Sequence, residues 1–345
     1  MSGFATEGAG PNVAPVPSQF RALLAIRTDG HVHTRVELVG PSDLPSGEVT
    51  VRVGWSGVNY KDALATKPLG KVARISPLIP GTDLAGSVVE SSDPQTKIGT
   101  QVIAHGHELG TSHHGGYAEY ARIPAAWIVP LPTGLSPREA MILGTAGFTA
   151  ARSVAELERR GLAPTDGPVL VTGATGGVGG FAVSILAARG YEIWALTGKR
   201  DARNDLLRRG VRGFVEPSEL GRSRRQLEPE RWAGAIDPVG KATLPYILRT
   251  LRYGAAVAAT GNVSGADLVT SVFPFILRDC ALIGIDSANV SMSERRVIWD
   301  RLAGDLRPRG LSESATEIGL DDLPQALETV LAGAARGRFL VRVGG

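Results

Sequence analysis

The chain has 345 residues, of which 43% are hydrophobic and 21% are charged, and its formal net charge is +3 at pH 7. This composition is typical of a globular protein long enough for two domains, and the small net charge neither requires nor excludes an anionic partner. The single cysteine, Cys280, excludes an intrachain disulfide and a multi-cysteine zinc site. Its apolar flanks predict a buried residue at a strand end rather than a catalytic thiol.

The N-terminal residues 1–19 are rich in Gly, Pro, Ala and Ser and lack a basic region followed by an apolar one. They are interpreted as a flexible tail rather than a signal peptide. No apolar run approaches the roughly 20 residues that span a bilayer. The arginine clusters between residues 203 and 225 have no interleaved aromatic residues for nucleic-acid stacking. The sequence therefore predicts a cytoplasmic protein with neither a membrane nor a nucleic acid as partner.

Short β-rich segments separated by turns extend from about residue 20 to residue 130. Alternating apolar and polar residues, broken at sites such as Asp29-Gly30, predict these strands. The strands are expected to begin near Phe20, Val36, Gly47, Leu84, Gln101 and Gly115. Their irregular lengths indicate a β-barrel module. Residues 20–140, joined by 288–345, are assigned to this domain.

Beyond Ser136 the pattern changes to alternating strands and helices. Ser136 has the features of an N-cap, because proline and an early acidic residue follow it. The alternation predicts a parallel, doubly wound α/β sheet over residues 141–287. Its strands are expected at 168–173, 191–197, 211–215, 233–237, 255–260 and 281–285. Helices near 293–304 and 321–334 and a strand at 339–343 complete the chain.

A glycine-rich turn connects the first of these strands to an apolar helix. Glycines there allow the backbone to approach a pyrophosphate, and the following helix directs N–H groups towards it. The predicted phosphate site comprises Gly173, Thr175, Gly176, Gly177, Val178 and Gly179. Because a strand precedes the glycines and a helix follows them, the segment predicts a dinucleotide-binding site.

The end of the next strand indicates which dinucleotide binds. About 20 residues after the glycines, NAD-binding proteins place a carboxylate on the ribose 2′-OH. Here Thr197, Gly198 and Lys199 precede the first acidic residue, Asp201. A hydroxyl, a flexible glycine and two cations, Lys199 and Arg200, suit a 2′-phosphate, so NADPH is predicted, with a solvated turn as the alternative. Asp201 is expected to cap the following helix.

Seven motifs occur in a fixed order, at 57–62, 80–86, 115–119, 144–150, 232–240, 274–278 and 284–287. Together they resemble the zinc-free acrylyl-CoA reductase (NADPH) and quinone oxidoreductase family of the medium-chain dehydrogenase/reductase superfamily. The resemblance covers roughly residues 20–345. It implies a GroES-like fold for the β-rich domain, a Rossmann fold for the second domain, and a homodimer. It also implies NADPH-dependent reduction of the α,β-double bond of acrylyl-CoA or a similar short 2-enoyl-CoA.

A metal site is not expected in this chain. Zinc-dependent relatives place a cysteine where this chain has Gly57, and the four-cysteine structural lobe is absent. The pairs His105 and His107, and His113 and His114, lack a thiolate or a third ligand at a suitable spacing. They are interpreted as loop histidines near the cleft.

Tyr60 is the first candidate for a catalytic residue. Hydride transfer to the β-carbon moves negative charge to the carbonyl oxygen, and the α-carbon then needs a proton. A phenol can donate a hydrogen bond and deliver a proton. Packing against the nicotinamide, beside which the resemblance places Tyr60, is the alternative role. Asn59 and Thr145 are the other catalytic candidates, because a site without a metal needs hydrogen-bond donors near residues 59–62 and 144–149 to polarise the carbonyl. Orientation of the loop through side-chain–backbone bonds is the alternative role of Asn59 and the expected role of Asp62.

The resemblance brings further residues to the cofactor. Thr145 is implied on the nicotinamide side, with a bond to a helix carbonyl as the alternative role. The other implied contacts are Asn262, Ile276, Ser287 and Arg338. A solvated surface position is the alternative for Arg338. Two other functions stay open, namely a quinone or enone oxidoreductase using NADPH and a catalytically inactive NADPH-binding interaction protein.

Overall fold

The computed structural model describes residues 14–221, 225–313 and 315–344. Most of the predicted tail, residues 1–13, and part of one arginine cluster, residues 222–224, lie outside this description. The strands are β1 (Phe20–Thr28), β2 (His31–Val39), β3 (Val49–Gly57), β4 (Asp83–Ser91), β5 (Gln101–His105), β6 (Tyr120–Ile123), β7 (Val129–Pro130), β8 (Val169–Thr172), β9 (Ile193–Leu196), β10 (Val211–Val215), β11 (Trp232–Asp237), β12 (Leu251–Ala259), β13 (Ala281–Gly284), β14 (Ala315–Ile318) and β15 (Arg338–Arg342). The helices are α1 (Tyr60–Ala65), α2 (Pro137–Arg159), α3 (Gly177–Ala188), α4 (Arg203–Arg208), α5 (Thr243–Thr250), α6 (Phe273–Arg278), α7 (Met292–Ala303) and α8 (Leu323–Leu331).

A parallel sheet of six strands has the order β10-β9-β8-β11-β12-β13. The strand order reverses between β8 and β11, and dinucleotides bind outside the carboxyl ends of strands at such a reversal. The predicted doubly wound α/β sheet is therefore confirmed. β12 begins earlier than expected because the register shifts between the pairs Trp232–Leu251 and Gly234–Ala256. The extra residues of β12 include Gly254, whose φ is +73°, and such a kink hides the strand pattern in the sequence.

The β-rich part contains a second sheet, ordered β14-β15-β3-β4-β5-β7, with β6 also paired to β3. The hairpin of β1 and β2 lies beside this sheet. β15 pairs antiparallel with β3, so the chain returns to this sheet after the parallel sheet is complete. The strand expected from Gly115 begins only at β6. A Cβ at Gly115 would overlap the carbonyl oxygen of Gly81, so close backbone packing replaces the strand there.

The helix α2 connects the two sheets. Its N-cap is Ser136, whose hydroxyl accepts a hydrogen bond from the backbone N–H of Glu139 at 3.2 Å, as the sequence predicted. One hydrophobic core joins the buried side of α2 to residues of both sheets, including Ile103 of β5 and Val171 of β8. None of the helices within the described ranges has the length and apolar character needed to cross a bilayer. Cys280 is buried immediately before β13, and burial raises the pKa of its thiol to about 11.

Candidate active site

The glycine-rich turn lies at the carboxyl end of β8, beside the reversal of strand order. Gly173 leaves the strand with a φ of +55°, a conformation that favours glycine. Gly176 is the N-cap of α3. A Cβ at Gly179 would overlap the carbonyl oxygen of Gly173, so the helix packs directly on the turn. The N-terminus of α3 is thereby presented to the crevice at the edge of the sheet, where it can bind an anion.

Asp237, at the end of β11, fixes the loop on the other side of this crevice. Its carboxylate accepts hydrogen bonds from the hydroxyls of Thr172 and Thr243 and from the backbone N–H groups of Val239 at 3.2 Å and Gly240 at 3.1 Å. The side chain is fully buried. Thr172 ends β8, and the other three donors lie in the loop after β11 or at the start of α5, so Asp237 ties the end of β8 to the segment that follows β11.

A cavity of about 420 Å³ lies between these two loops and the end of β9. Its lining includes Gly173, Thr175, Thr197, Gly198, Lys199, Val239 and Ser264. The hydroxyls of Thr175 and Thr197 are 3.5 Å apart, and Thr197 Oγ1 accepts a hydrogen bond from the N–H of Lys199 at 3.1 Å. The glycine-rich turn and the predicted phosphate turn therefore line one continuous cavity.

The side chains of the turn after β9 have partners that the sequence did not indicate. The Lys199 ammonium donates hydrogen bonds to the carbonyl oxygens of Gly333 at 2.7 Å and Ala335 at 3.3 Å. Asp201 forms an ion pair with Arg336. The expectation that Asp201 caps a helix is wrong, because the N-cap of α4 is Ala202 and makes no side-chain cap bond. The Asp201 carboxylate is instead paired with Arg336, which is distant in the sequence.

Asn59 and Thr145 meet at one carboxylate, that of Asp83 at the start of β4. Asn59 Nδ2 donates to Asp83 Oδ2 at 2.7 Å, and the N–H of Thr145 donates to the same oxygen at 3.0 Å. The Thr145 hydroxyl donates to Asp83 Oδ1. Asp83 is fully buried. It lies within a motif noted in the sequence, but its role as the common acceptor was missed there, because its donors come from separate segments.

Gly144 makes this convergence possible. It interrupts the helical geometry of α2 with a φ of +49° and a ψ of −156°. A Cβ at this position would overlap Asp83 Oδ2 and approach Arg338 Nη2 to 2.9 Å. The kink brings the backbone N–H of Thr145 to Asp83, and only glycine leaves room for the carboxylate there.

Asp62 forms a second buried carboxylate centre close by. Its two oxygens accept hydrogen bonds from the backbone N–H groups of Asn59 and Thr82, each at 2.8 Å. Burial and then the charge of Asp83 raise the pKa of Asp62 to about 6. The bond from the Asn59 N–H fits the expected loop-orienting role, because it fixes the residue that precedes α1. Nearby, the buried Tyr117 hydroxyl donates to the carbonyl oxygen of Gly57 at 3.1 Å.

Arg338 is buried behind these residues rather than solvated. Its Nη1 donates to the carbonyl oxygen of Val58 at 2.6 Å and to Asn59 Oδ1 at 3.0 Å, and its Nε donates to the carbonyl oxygen of Ile142 at 3.3 Å. Nη2 lies 3.9 Å from Asp83 Oδ2 and has no hydrogen-bond partner among the described residues. Burial lowers the pKa of Arg338 despite the two nearby carboxylates. Arg338 thus links β15 to the segments before α1 and within α2.

The other candidates occupy less enclosed positions. Tyr60 is the first residue of α1, and 48% of it is exposed. Ile276 lies on α6 and is 68% exposed. Asn262 is exposed in a turn after β12, where its carbonyl oxygen accepts a hydrogen bond from Gly265 at 2.9 Å. Ser287 is partly exposed just after β13.

The interpretation of all four histidines as loop residues is wrong for His105, which is the last residue of β5. Protein groups contact both His105 and His107. His105 is buried and accepts a hydrogen bond from the Trp299 indole at 2.9 Å, while burial and the charge of Arg295 hold its pKa well below the usual range. The ring of His107 stacks on Trp127, with centroids 5.1 Å apart. Within the described ranges, no group of three or more His, Cys, Asp or Glu residues is arranged to hold a metal ion.

Similar proteins match nearly the whole chain. Residues 45–133 match the family described as "Alcohol dehydrogenase GroES-like domain". The chain is 44% identical to "Putative quinone oxidoreductase YhfP" of Bacillus subtilis and 44% identical to "Acrylyl-CoA reductase AcuI" of Ruegeria pomeroyi. Each match covers 94% of this chain and 99% of the relative.

Solved structures agree with this likeness. The yhdH oxidoreductase from Salmonella enterica, in complex with NADP, matches with a TM-score of 0.91 at 44% identity and covers 94% of this chain and 100% of its own. The Bacillus subtilis protein yhfP, with NAD bound, matches with a TM-score of 0.93 at 44% identity, covering 95% and 100%.

Proposed function

The chain belongs to the acrylyl-CoA reductase and quinone oxidoreductase family of the medium-chain dehydrogenase/reductase superfamily, and from this premise we propose that it is an NADPH-dependent reductase. Its substrate is acrylyl-CoA or a similar short 2-enoyl-CoA, whose α,β-double bond is reduced. The observation that carries the proposal is the full-length 44% identity to a relative named acrylyl-CoA reductase. The cavity beside the glycine-rich turn supports the cofactor part of the proposal.

Held at the glycine-rich turn and the turn at 197–199, NADPH would supply a hydride to the β-carbon of the thioester. The electron pair of the double bond then moves to the carbonyl oxygen, where hydrogen-bond donors lower the barrier. Tyr60 delivers the proton that the α-carbon requires, since its phenol is exposed at the start of α1. Asn59 and Thr145 act as positioning residues through Asp83. No metal takes part in this scheme, since Gly57 stands where zinc-dependent relatives place a cysteine.

The turn at Thr197, Gly198 and Lys199 is proposed to bind the 2′-phosphate of NADPH. Its support is the position of all three residues in the lining of the cavity. The test compares kcat/KM for NADPH with that for NADH in wild type and Lys199→Ala. A preference for NADPH that falls in the variant supports the assignment, and an unchanged preference contradicts it.

A quinone or enone oxidoreductase is the second candidate function. It is favoured by the equally similar relative YhfP, whose name refers to quinone reduction and whose structure contains NAD. Initial rates with acrylyl-CoA, crotonyl-CoA and a simple quinone separate the two. Activity on the quinone alone would contradict the proposal that the protein reduces an enoyl-CoA. NADPH binding without its consumption on any substrate would indicate the inactive interaction protein.

We also propose that the protein is a homodimer and that it is located in the cytoplasm. Support for the dimer comes from the exposed edge of the parallel sheet at β13. Large apolar side chains are exposed on β13 and on the segment that connects β12 to β13, at Val263, Val269, Val272, Phe273, Ile276, Leu277 and Leu282. Exposed apolar side chains concentrated in one segment are a feature of interaction sites, and an edge strand offers unpaired backbone groups to a second copy. Cell fractionation tests the location.

A further inference from the structure

The turn after β9 is joined to the loop before β15 by two hydrogen bonds and an ion pair. Lys199 Nζ donates to the carbonyl oxygens of Gly333 and Ala335, and Arg336 forms an ion pair with Asp201. The loop therefore belongs to the β-rich part of the molecule but lies against the turn proposed to bind the 2′-phosphate. Glycines with positive φ stand on both sides of it, +66° at Gly333 and +69° at Gly337, and permit its tight path.

The two cations of this contact differ in how freely they can bind an anion. Two of the three ammonium donors of Lys199 have carbonyl partners. Arg336 has five N–H donors and a side chain that is 79% exposed. Its partner Asp201 is 61% exposed, so the pair is accessible to water. Surface ion pairs of this kind contribute little stability and exchange partners at small cost.

We propose that Arg336 is a specificity-determining residue for NADPH, donating hydrogen bonds to the 2′-phosphate bound at the turn 197–199. This inference rests on the proposed function. A planar guanidinium can bind phosphate through two parallel hydrogen bonds, whereas the Lys199 ammonium acts as a point charge. The turn at 197–199 has no bidentate donor of its own, and Arg336, which belongs to the β-rich part, supplies one. The dianionic phosphate displaces the singly charged Asp201 carboxylate, and with NADH the pair with Asp201 persists.

The test measures the dissociation constants for NADPH and NADH by titration of full-length protein. In Arg336→Ala, the Kd for NADPH is expected to rise about tenfold or more, since a charged hydrogen bond is lost. The Kd for NADH is expected to stay within about twofold, which also shows that the variant is folded. The Kd of Arg336→Lys for NADPH should lie between those of wild type and Arg336→Ala, because lysine keeps the charge but cannot form two parallel hydrogen bonds. Arg208→Ala, which removes another exposed arginine paired with an aspartate, is the control.

A double-mutant cycle with Asp201→Asn adds a second readout. Removing the competing carboxylate should tighten NADPH binding more strongly when Arg336 is present than in the Arg336→Ala background. Adenosine 2′-monophosphate serves as a probe of the phosphate contact alone and should follow the same order of affinities.

The outcomes separate this inference from the function on which it rests. If wild type binds NADPH more tightly than NADH and Arg336→Ala keeps the same ratio, only the inference is overturned. The inference is also overturned if Asp201→Asn lowers the Kd for NADPH by the same factor with Arg336 present and in the Arg336→Ala background. If wild type does not bind NADPH, the proposed function and the inference both fail.

Discussion

Asp83 is the residue on which the candidate active site depends. A buried carboxylate is stable only when its oxygens are hydrogen-bonded or paired with a cation. Asp83 has donors from Asn59 and Thr145 and lies 3.9 Å from the guanidinium of Arg338. These residues come from the N-cap of α1, the kink of α2 and the start of β15. The Asp83 side chain thus contacts three segments that are distant in the sequence and fixes their relative positions.

Removal of the Tyr60 hydroxyl tests the proposed proton donor. Tyr60→Phe is expected to lower kcat about 100-fold or more, because general-acid catalysis contributes at least that factor. The Kd for NADPH should change by less than about threefold, since the ring remains. Stopped-flow turnover and cofactor titration measure the two quantities. Unchanged turnover would assign Tyr60 to packing alone.

The raised pKa of Asp62 makes stability depend on pH. The pKa is about 6 in the folded protein, compared with the ordinary 3.8. Between these values the folded protein holds a proton that the unfolded chain has released, so the free energy of unfolding falls as pH rises. The expected loss is about 3 kcal/mol, at 1.36 kcal/mol per pKa unit.

Urea unfolding of wild type and Asp62→Asn between pH 4 and pH 7 measures this effect. Whatever the substitution costs at pH 4, the stability of the variant relative to wild type should rise by about 2.4 kcal/mol between pH 4 and pH 7. This is less than the full loss of about 3 kcal/mol because the unfolded carboxyl is already more than half ionised at pH 4. The exposed Asp300→Asn variant is the control for loss of a carboxylate. A difference between wild type and Asp62→Asn that does not vary with pH would contradict the raised pKa.

At the scale of elements, the kink in α2 is the feature with the clearest test. Gly144→Ala should destabilise the protein by at least about 3 kcal/mol, because it adds a clash with Asp83 to an unfavourable backbone conformation. Gly161 also has a positive φ, +95°, but a Cβ there has no atom within 4 Å. Gly161→Ala should therefore cost only about 1–2 kcal/mol. Equal losses in thermal or urea unfolding would show that the clash with Asp83 is relieved.

The elements themselves were largely predictable from the sequence. The strands from β8 to β13 are short and apolar and are separated by helical patterns, so local periodicity locates them. The capping box at Ser136 is likewise a local signal. The glycines at 173–179 indicate the turn, because Gly173 takes a positive φ and Gly179 packs directly on its carbonyl oxygen. These features depend on neighbours along the chain.

Long-range contacts were not predictable. Asp83 begins a strand and shows no periodic signal, since its donors lie far along the chain. Gly144 occurs within a helical pattern, and only the carboxylate beside it explains the kink. The partners of Lys199 and Asp201 come from residues 333–336, so the sequence around the turn after β9 could not reveal them. The roles assigned to Tyr60, Thr145 and the other site residues stay predictions, as do the domain boundaries at 140/141 and 287/288.

At the scale of the whole molecule, the exposed apolar edge at β13 predicts the oligomeric state. Wild type is expected to sediment as a dimer of 36.1 kDa chains. Leu277→Glu places a charge on α6, in the segment of exposed apolar side chains between β12 and β13, and should yield monomers, because burying an unpaired charge is costly. Analytical ultracentrifugation measures the mass. Leu69→Glu, at a side chain that is 90% exposed elsewhere, should leave the dimer intact. A dimeric Leu277→Glu variant would place the interface on another surface.

The return of the chain through β15 has a consequence for protein synthesis. The strands of the parallel sheet, β8 to β13, are contiguous in the chain and can assemble as the ribosome releases them. The pairing of β3 with β15 can form only later, because β15 is translated after the strands of the parallel sheet. Arg338, on β15, is also the side chain that joins Asn59 to the carbonyl oxygen of Ile142. Nascent chains that end before β15 are therefore expected to hold a formed nucleotide-binding half and an incomplete catalytic centre.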